Sequence, residues 1–268
     1  MTFFFEDYIR PYLLRYPSLR ILEIGASHGE HTDLLRTLPN AQLTLIDPCL
    51  DEPLDRKYAG DPRVTVVQEI SLNALPRLSA EFDCILIDGD HNWWTVISEL
   101  RLIEERCLLA KGGVVFLHDV GWPYGRRDMC YRPETIPPEQ ILPYAQKGIE
   151  QGRTELTADP AVNSEHYNVI TEDGPRNGVL TAIEDFASEE KNAFRFFGIY
   201  DEFGLGVMIK KRDRSAVEPF NVLVRKRNRV IRDRNWKRRM ASTKAFFLKR
   251  VPWLYVPLKK VAVLFRPH

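Results

Sequence analysis

The sequence predicts an α/β fold: a doubly wound, mostly parallel sheet with an antiparallel C-terminal hairpin strand, followed by a basic C-terminal extension. Three observations carry this expectation. Short apolar runs bounded by turn residues alternate with helix-period patterns through the first half of the chain, as repeated βαβ units do. Two later apolar runs flank Asp201-Glu-Phe-Gly204, which reads as a hairpin turn. Finally, the charge is divided: from Lys210 to His268 there are 19 Lys and Arg against 3 Asp and Glu, which leaves 19 basic and 34 acidic residues before it. The formal net charge of +1 therefore hides an acidic body and a basic tail.

Taken in order, strands are expected at about Arg20–Ile24, Gln42–Ile46, Val64–Gln68, Phe82–Asp88 and Gly113–Leu117. Helices fall between them at His31–Leu38 and Trp93–Leu109, with a short turn around Leu72–Leu78. The longer helix sets Val96, Ile97, Leu100, Ile103 and Leu108 on one face, with Glu99, Arg101, Glu104, Glu105 and Arg106 between them. From His118 to about Asp173 the periodicity breaks into a long segment rich in Pro, Tyr and charge. Regularity returns with a helix at Gly178–Ala187 and strands at Phe194–Tyr200 and Leu205–Lys210.

Length and a 44% hydrophobic content allow one sizeable core plus an appendage. The division expected is a domain over residues 1–210, with an insert at about 119–173, and an extension over 211–268. Cys49, Cys84, Cys107 and Cys130 are widely spaced, so neither a disulfide framework nor a structural zinc site is indicated and a cytoplasmic location is expected. The N-terminus, with Glu6 and Asp7 in an aromatic run, does not read as a secretory signal, and no stretch has the apolar length to span a bilayer.

Two motifs carry chemistry. The first is Leu22-Glu-Ile-Gly-Ala-Ser-His-Gly29, a strand running through small residues into a helix, where a ligand can approach the backbone closely. One strand later Asp47 stands where a carboxylate accepts hydrogen bonds from both ribose hydroxyls. A dinucleotide site is the close competitor, but Glu23 beside the turn would repel a pyrophosphate and suits a cationic ligand.

This segment resembles motif I and the acidic second motif of class I S-adenosylmethionine-dependent methyltransferases, a Rossmann-like family, with Ser27 in place of its middle Gly. The resemblance implies that Glu23, Gly25, Ser27, Gly29 and Asp47 bind the cofactor, that Glu69 and Ser71 at the third strand's end lie by the adenine, and that Asp88 also borders it.

The second motif is Ile87-Asp-Gly-Asp-His91, followed one strand on by His118-Asp119. Carboxyl ends of adjacent parallel strands face one crevice, so Asp88, His118 and Asp119 can converge on a cation. Within the family, this set resembles the metal-dependent sugar O-methyltransferases of the macrocin and mycinamicin type and the cephalosporin-hydroxylase-like proteins. That likeness implies a divalent metal, Mg or Mn, with Asp88 and Asp119 as ligands and His91 as the base. His118 stands where Glu is usual, as a ligand or one step behind the ligands. An alcohol is a poor nucleophile until a metal polarises its oxygen and a base takes its proton.

The insert opens with aromatic and Arg side chains, and Trp122, Tyr124, Arg126 and Arg127 are expected contacts for a sugar or glycan acceptor. Each reads equally as part of a loop covering the sheet edge. The tail mixes Phe246, Phe247, Trp253, Tyr255 and Phe265 with Lys and Arg, a pattern for peripheral attachment to an anionic membrane at its inner face, where a lipid-linked acceptor would be found. RNA is the other polyanion such a tail serves, with RNA methylation the corresponding activity. A tail docked on the acidic body of its own chain or of a second copy in a homo-oligomer is the structural alternative, and a non-catalytic nucleotide-fold module the functional one.

Overall fold

The structure is a computed structural model and describes residues 1–48, 53–189 and 194–250, the last range without side-chain detail at 233 and 235–250. Cys49, Trp253, Tyr255 and Phe265 lie outside the described residues, as do the side chains of Phe246 and Phe247. The chain divides into two compact units, Met1–Phe220 and Asn221–His268.

The N-terminal segment is helical in three short pieces, Thr2–Phe4, Phe5–Ile9 and α1 (Arg10–Leu13). Then follow β1 (Leu19–Ile24), α2 (Glu30–Leu35), β2 (Ala41–Ile46), α3 (Leu54–Tyr58), β3 (Val64–Val67) and α4 (Ser71–Ala74). The βαβ pattern continues through β4 (Phe82–Ile87), α5 (Trp93–Glu105) and β5 (Leu109–His118). After an insert come α6 (Val179–Glu189), β9 (Phe194–Ile199), β10 (Leu205–Lys210) and α7 (Arg214–Arg250), the insert itself supplying β6 to β8.

Seven strands form one sheet in the order β3-β2-β1-β4-β5-β10-β9. The first five are parallel, and β10 and β9 close the edge as an antiparallel hairpin, as the sequence predicts. Period-two alternation then decides what each face meets. Leu22, Ile24, Ile85, Ile87, Val115 and Leu117 join one core cluster with Trp93, Val96, Ile97 and Leu100 of α5 and Ile183 and Phe186 of α6. On the other face Tyr12 packs edge-on against Phe116, ring centroids 5.9 Å apart, and Phe4, Phe5, Ile9 and Leu13 are buried. The aromatic N-terminal run is thus the cover of that face.

Pairing extends past the strand ends. Gly25 N–H donates to the Ile46 carbonyl and Asp88 N–H to the Ile24 carbonyl, both at 2.9 Å. The loops after β1, β2 and β4 therefore leave the sheet in register, at the carboxyl edge where doubly wound folds form their crevice.

The segment expected as a long loop carries its own sheet. β6 (Met129–Cys130), β7 (Tyr144–Gln146) and β8 (Tyr167–Val169) pair antiparallel in the order β6-β8-β7. Strands of two or three residues are too short for alternation to register in sequence. Among the described residues no helix is long and apolar enough to cross a membrane.

Candidate functional site

The loop from β1 to α2 has a left-handed backbone at Gly25 (φ +84°), Ser27 (+47°) and Gly29 (+80°). A Cβ on Gly25 would run into the Asp88 carbonyl and Gly89, so this glycine lets the β1 and β4 loops touch. The space beside Gly29 is filled by the Tyr58 hydroxyl, which donates to the Gly29 carbonyl at 2.9 Å. Ser27, exposed, turns its N–H onto Asp47 Oδ2 at 2.6 Å.

Glu23 is buried (2% exposed), with Oε1 2.9 Å from His31 Nδ1 and Oε2 accepting from Thr32 Oγ1 at 2.6 Å. Both oxygens are thus engaged by α2, and Glu23 holds the helix to β1 beneath the loop. Glu69 pairs at the surface with Arg77 at 2.6 Å. Ser71 is buried and donates to Glu99 Oε1 at 2.5 Å.

That contact corrects the reading of α5. Glu99 falls among the charged positions in sequence, yet it is 0% exposed, its Oε2 has no hydrogen-bond partner among the described residues, and burial pushes its carboxyl up to about 8 against the partial relief of the Ser71 hydrogen bond. Only tertiary packing on a second side of the helix distinguishes this Glu from Glu104 or Glu105.

Asp88 follows β4, His118 ends β5, and Asp119 follows at φ +58°. One ligand atom from each lies within 4.8 Å of the others, the arrangement a small cation needs. His118 Nδ1 is 3.1 Å from Asp88 Oδ1 and 2.7 Å from Asp119 Oδ2. His91 Nδ1 reaches the same Asp119 Oδ2 at 2.7 Å, so one carboxylate oxygen serves two imidazoles. The Met1 nitrogen sits 3.0 Å from Asp88 Oδ2.

The electrostatics follow from this crowding. Burial opposes charge on His118, but the Asp88 and Asp119 carboxylates outweigh it and lift the imidazole to about 9. His91 is raised by the same balance, burial against Asp119, Asp88 and Asp90. Burial works against ionisation of Asp88 and Asp119 too, yet His118 holds Asp88, and His91 with His118 holds Asp119, below the ordinary carboxylate range. The donor set of two carboxylates and an imidazole fits Mn and tolerates Mg.

His91 is placed by its neighbours on both sides. Asn92 caps α5, accepting from Thr95 N–H at 2.8 Å, and Met129 of β6 bridges to His91 by donating its N–H to the His91 carbonyl at 3.1 Å. Asp128, just before, takes the N–H groups of Trp93 (2.7 Å) and Gly178 (2.6 Å) on one oxygen, tying α5, the insert and the start of α6 together. Burial raises this carboxyl to about 7.

With Nδ1 on Asp119, His91 presents Nε2 to the Tyr131 hydroxyl at 3.3 Å. Tyr131 is half exposed and stacks edge-on with His166, centroids 5.1 Å apart. Neither residue belongs to a motif legible in sequence, and what brings Tyr131 to His91 is the bridge that Met129 makes to the His91 carbonyl.

The four expected acceptor contacts divide. Tyr124 is buried with its ring 5.3 Å from that of His91, and Trp122 packs against Tyr124 and Met129. Arg126 is held by Glu184 at 2.6 and 2.8 Å. Arg127 is wholly buried and donates to the carbonyls of Val169 and Thr154, each at 2.6 Å. The structure corrects the assignment of Arg127: a cation in a loop reads as ligand-facing in sequence, and here buried backbone carbonyls take it, while Arg126 stays partly exposed beside a helix carboxylate.

Residues 22–120 match the family model described as a methyltransferase domain. No curated protein matches the chain. Among solved structures, the chain is similar to the SAH-bound Podospora anserina methyltransferase PaMTH1, at 20% identity, 72% of each chain and TM-score 0.44. It is also similar to MycE methyltransferase of the mycinamycin biosynthetic pathway, solved with Mg, SAH and mycinamycin VI, at 16% identity, 80% of this chain, 53% of that one and TM-score 0.45. A third is spermidine synthase from Thermotoga maritima, at 13% identity, 81% and 61% coverage and TM-score 0.42.

Proposed function

We propose that the protein, whose residues 22–120 match a methyltransferase-domain model, is an S-adenosylmethionine-dependent, divalent-metal-assisted O-methyltransferase acting on a sugar hydroxyl of a glycan or glycoconjugate. The observation that carries this reading is Asp119 Oδ2 lying 2.7 Å from Nδ1 of both His91 and His118, with Asp88 alongside. One carboxylate thus links a cation-competent cluster to a base.

S-adenosylmethionine, when bound, supplies an electrophilic methyl group. The Gly25–Gly29 loop and Asp47 are the residues to hold it, Asp47 having its carboxylate already oriented by the Ser27 amide. Asp88, Asp119 and His118 would hold a divalent cation, whose positive charge would polarise the acceptor oxygen. His91, fixed through Nδ1 by Asp119, takes the hydroxyl proton at Nε2. The Tyr131 hydroxyl, 3.3 Å from that nitrogen, marks where a hydroxyl can stand. Tyr131, His166 and the partly buried Trp122 favour a sugar, whose ring stacks on aromatic faces while its hydroxyls seek polar groups.

We extend the proposal to place: a cytoplasmic protein whose basic extension attaches it to the anionic inner face of a membrane, with a lipid-linked glycan as acceptor. The test is transfer of labelled methyl from S-adenosylmethionine into separated glycan, lipid and RNA fractions, with and without a chelator. Label in glycan that disappears with chelation supports the reading. Label in RNA regardless of chelator overturns the metal and the acceptor together and leaves the methyltransferase domain standing.

A further inference from the structure

A second basic feature lies within the folded unit, away from the crevice. Leu205 at the start of β10 pairs with His118, and Lys210 at its end pairs with Phe194. The β10 end, the Lys211–Asp213 link and the start of α7 therefore sit at the opposite edge of the sheet. Five residue steps along the strand separate them from His118, about 17 Å. At that edge a cavity of about 620 Å³ is lined by Arg195, Lys211, Arg212, Arg214, Val217 and Glu218.

Three of these cations are unpaired among the described residues. Arg195, Arg212 and Arg214 are exposed, and among the described residues none makes a side-chain hydrogen bond or ion pair, whereas Arg36, Arg63, Arg77, Arg101 and Arg126 are all matched with carboxylates. Exposed, unpaired arginines in an otherwise acidic body, gathered at one concavity whose lining holds four cations against the single carboxylate of Glu218 among the described residues, are a phosphate-binding arrangement. The planar guanidinium fork suits phosphate oxygens, and a concave setting lets several forks reach one group.

We propose that this cavity binds the phosphate of an anionic phospholipid headgroup. Two observations favour a lipid over single-stranded RNA. Among the described residues no aromatic side chain lines the cavity, and the stacking platform on which unpaired bases are held is missing from that lining. The chain also runs directly from the cavity into a basic segment whose sequence mixes Phe246, Phe247, Trp253 and Tyr255 with Lys and Arg, the composition of a headgroup-layer contact. The site depends neither on the identity of the acceptor nor on methyl transfer.

The experiment compares full-length wild type with R195Q/R212Q/R214Q and with R195K/R212K/R214K in co-sedimentation with phosphatidylcholine vesicles, with or without phosphatidylglycerol. Each basic residue near such a surface contributes about fivefold, so the glutamine variant is expected to lose on the order of 100-fold in affinity for anionic vesicles. The lysine variant keeps the charge but loses the guanidinium fork and is expected to fall between wild type and the glutamine variant, and thermal unfolding midpoints confirm that all three proteins are folded. Unchanged vesicle binding by the glutamine variant overturns the proposal. So does a loss confined to a single-stranded oligoribonucleotide, which would make the cavity a nucleic-acid contact. Binding of soluble glycerol 3-phosphate as tight as binding of vesicles would assign it to a free phosphate ester and overturn the lipid.

Discussion

Replacing Glu99 with Gln separates a buried, proton-holding carboxyl from an ordinary surface one. In the folded protein burial lifts this group from an ordinary 4.5 to about 8. Between those two values the native state keeps a proton that the unfolded chain has released, so stability falls by about 1.4 kcal/mol for each pH unit gained. The contribution is fully present below the lower value and exhausted above the upper one, and the whole window amounts to roughly 5 kcal/mol as a ceiling. Glutamine cannot titrate. The stability difference between E99Q and wild type should therefore climb by about 1.4 kcal/mol per pH unit across that window and be level on either side. An amide left without a partner where Oε2 lies shifts the whole curve by about 1–3 kcal/mol without altering its slope. Urea unfolding followed by tryptophan fluorescence at several pH values gives the slope directly. A difference that stays constant with pH would mean Glu99 ionises as a solvated carboxylate, and the packing of α5 described above would be refuted.

Four further outcomes follow from the site. His91→Ala should lower methyl transfer by about 10²- to 10⁴-fold while leaving affinity for S-adenosylhomocysteine within a factor of about two, and full turnover would remove His91 as the base. Asp47→Ala takes away the acceptor of the Ser27 amide, and calorimetry should show cofactor affinity down by about tenfold or more. Gly25→Ala forces a Cβ toward the Asp88 carbonyl at φ +84° and should cost more than about 2 kcal/mol in denaturant unfolding; a neutral effect would mean the two loops do not touch. Tyr131→Phe deletes the hydroxyl beside His91 Nε2 and should change acceptor KM or kcat by about three- to tenfold with cofactor binding intact, whereas identical kinetics would take Tyr131 out of the acceptor's path.

The strands were legible because parallel strands buried on both faces leave continuous apolar runs, and β10 is found at its expected bounds, Leu205–Lys210. β5 starts earlier than expected, at Leu109, since Lys111-Gly-Gly113 interrupts the apolar run without interrupting the pairing. The insert's strands and the N-terminal cover were not legible. The first are too short to show a period, and the second is a run of short, irregular helical pieces that lacks one.

The same distinction explains which site residues could be found. Asp88, His118 and Asp119 stand at or just past the ends of β4 and β5, and the pairing Ile24 with Ile87 and Ile87 with Leu117 fixes where those ends fall. Once the strands are read, their convergence follows from register alone. Glu99, Asp128, Arg127 and Tyr131 owe their roles to contacts between α5, the insert and α6, elements whose mutual packing no local pattern encodes. The hydrogen bonds Ser71 to Glu99 and Asp128 to Trp93 and Gly178 are made only when those elements close on one another. Under the proposed function the cofactor and cation residues belong to the edge that the sheet sets and the acceptor to the side that the insert builds, so the acceptor's identity is to be sought in the contacts around Tyr131 and His166 rather than in the motifs.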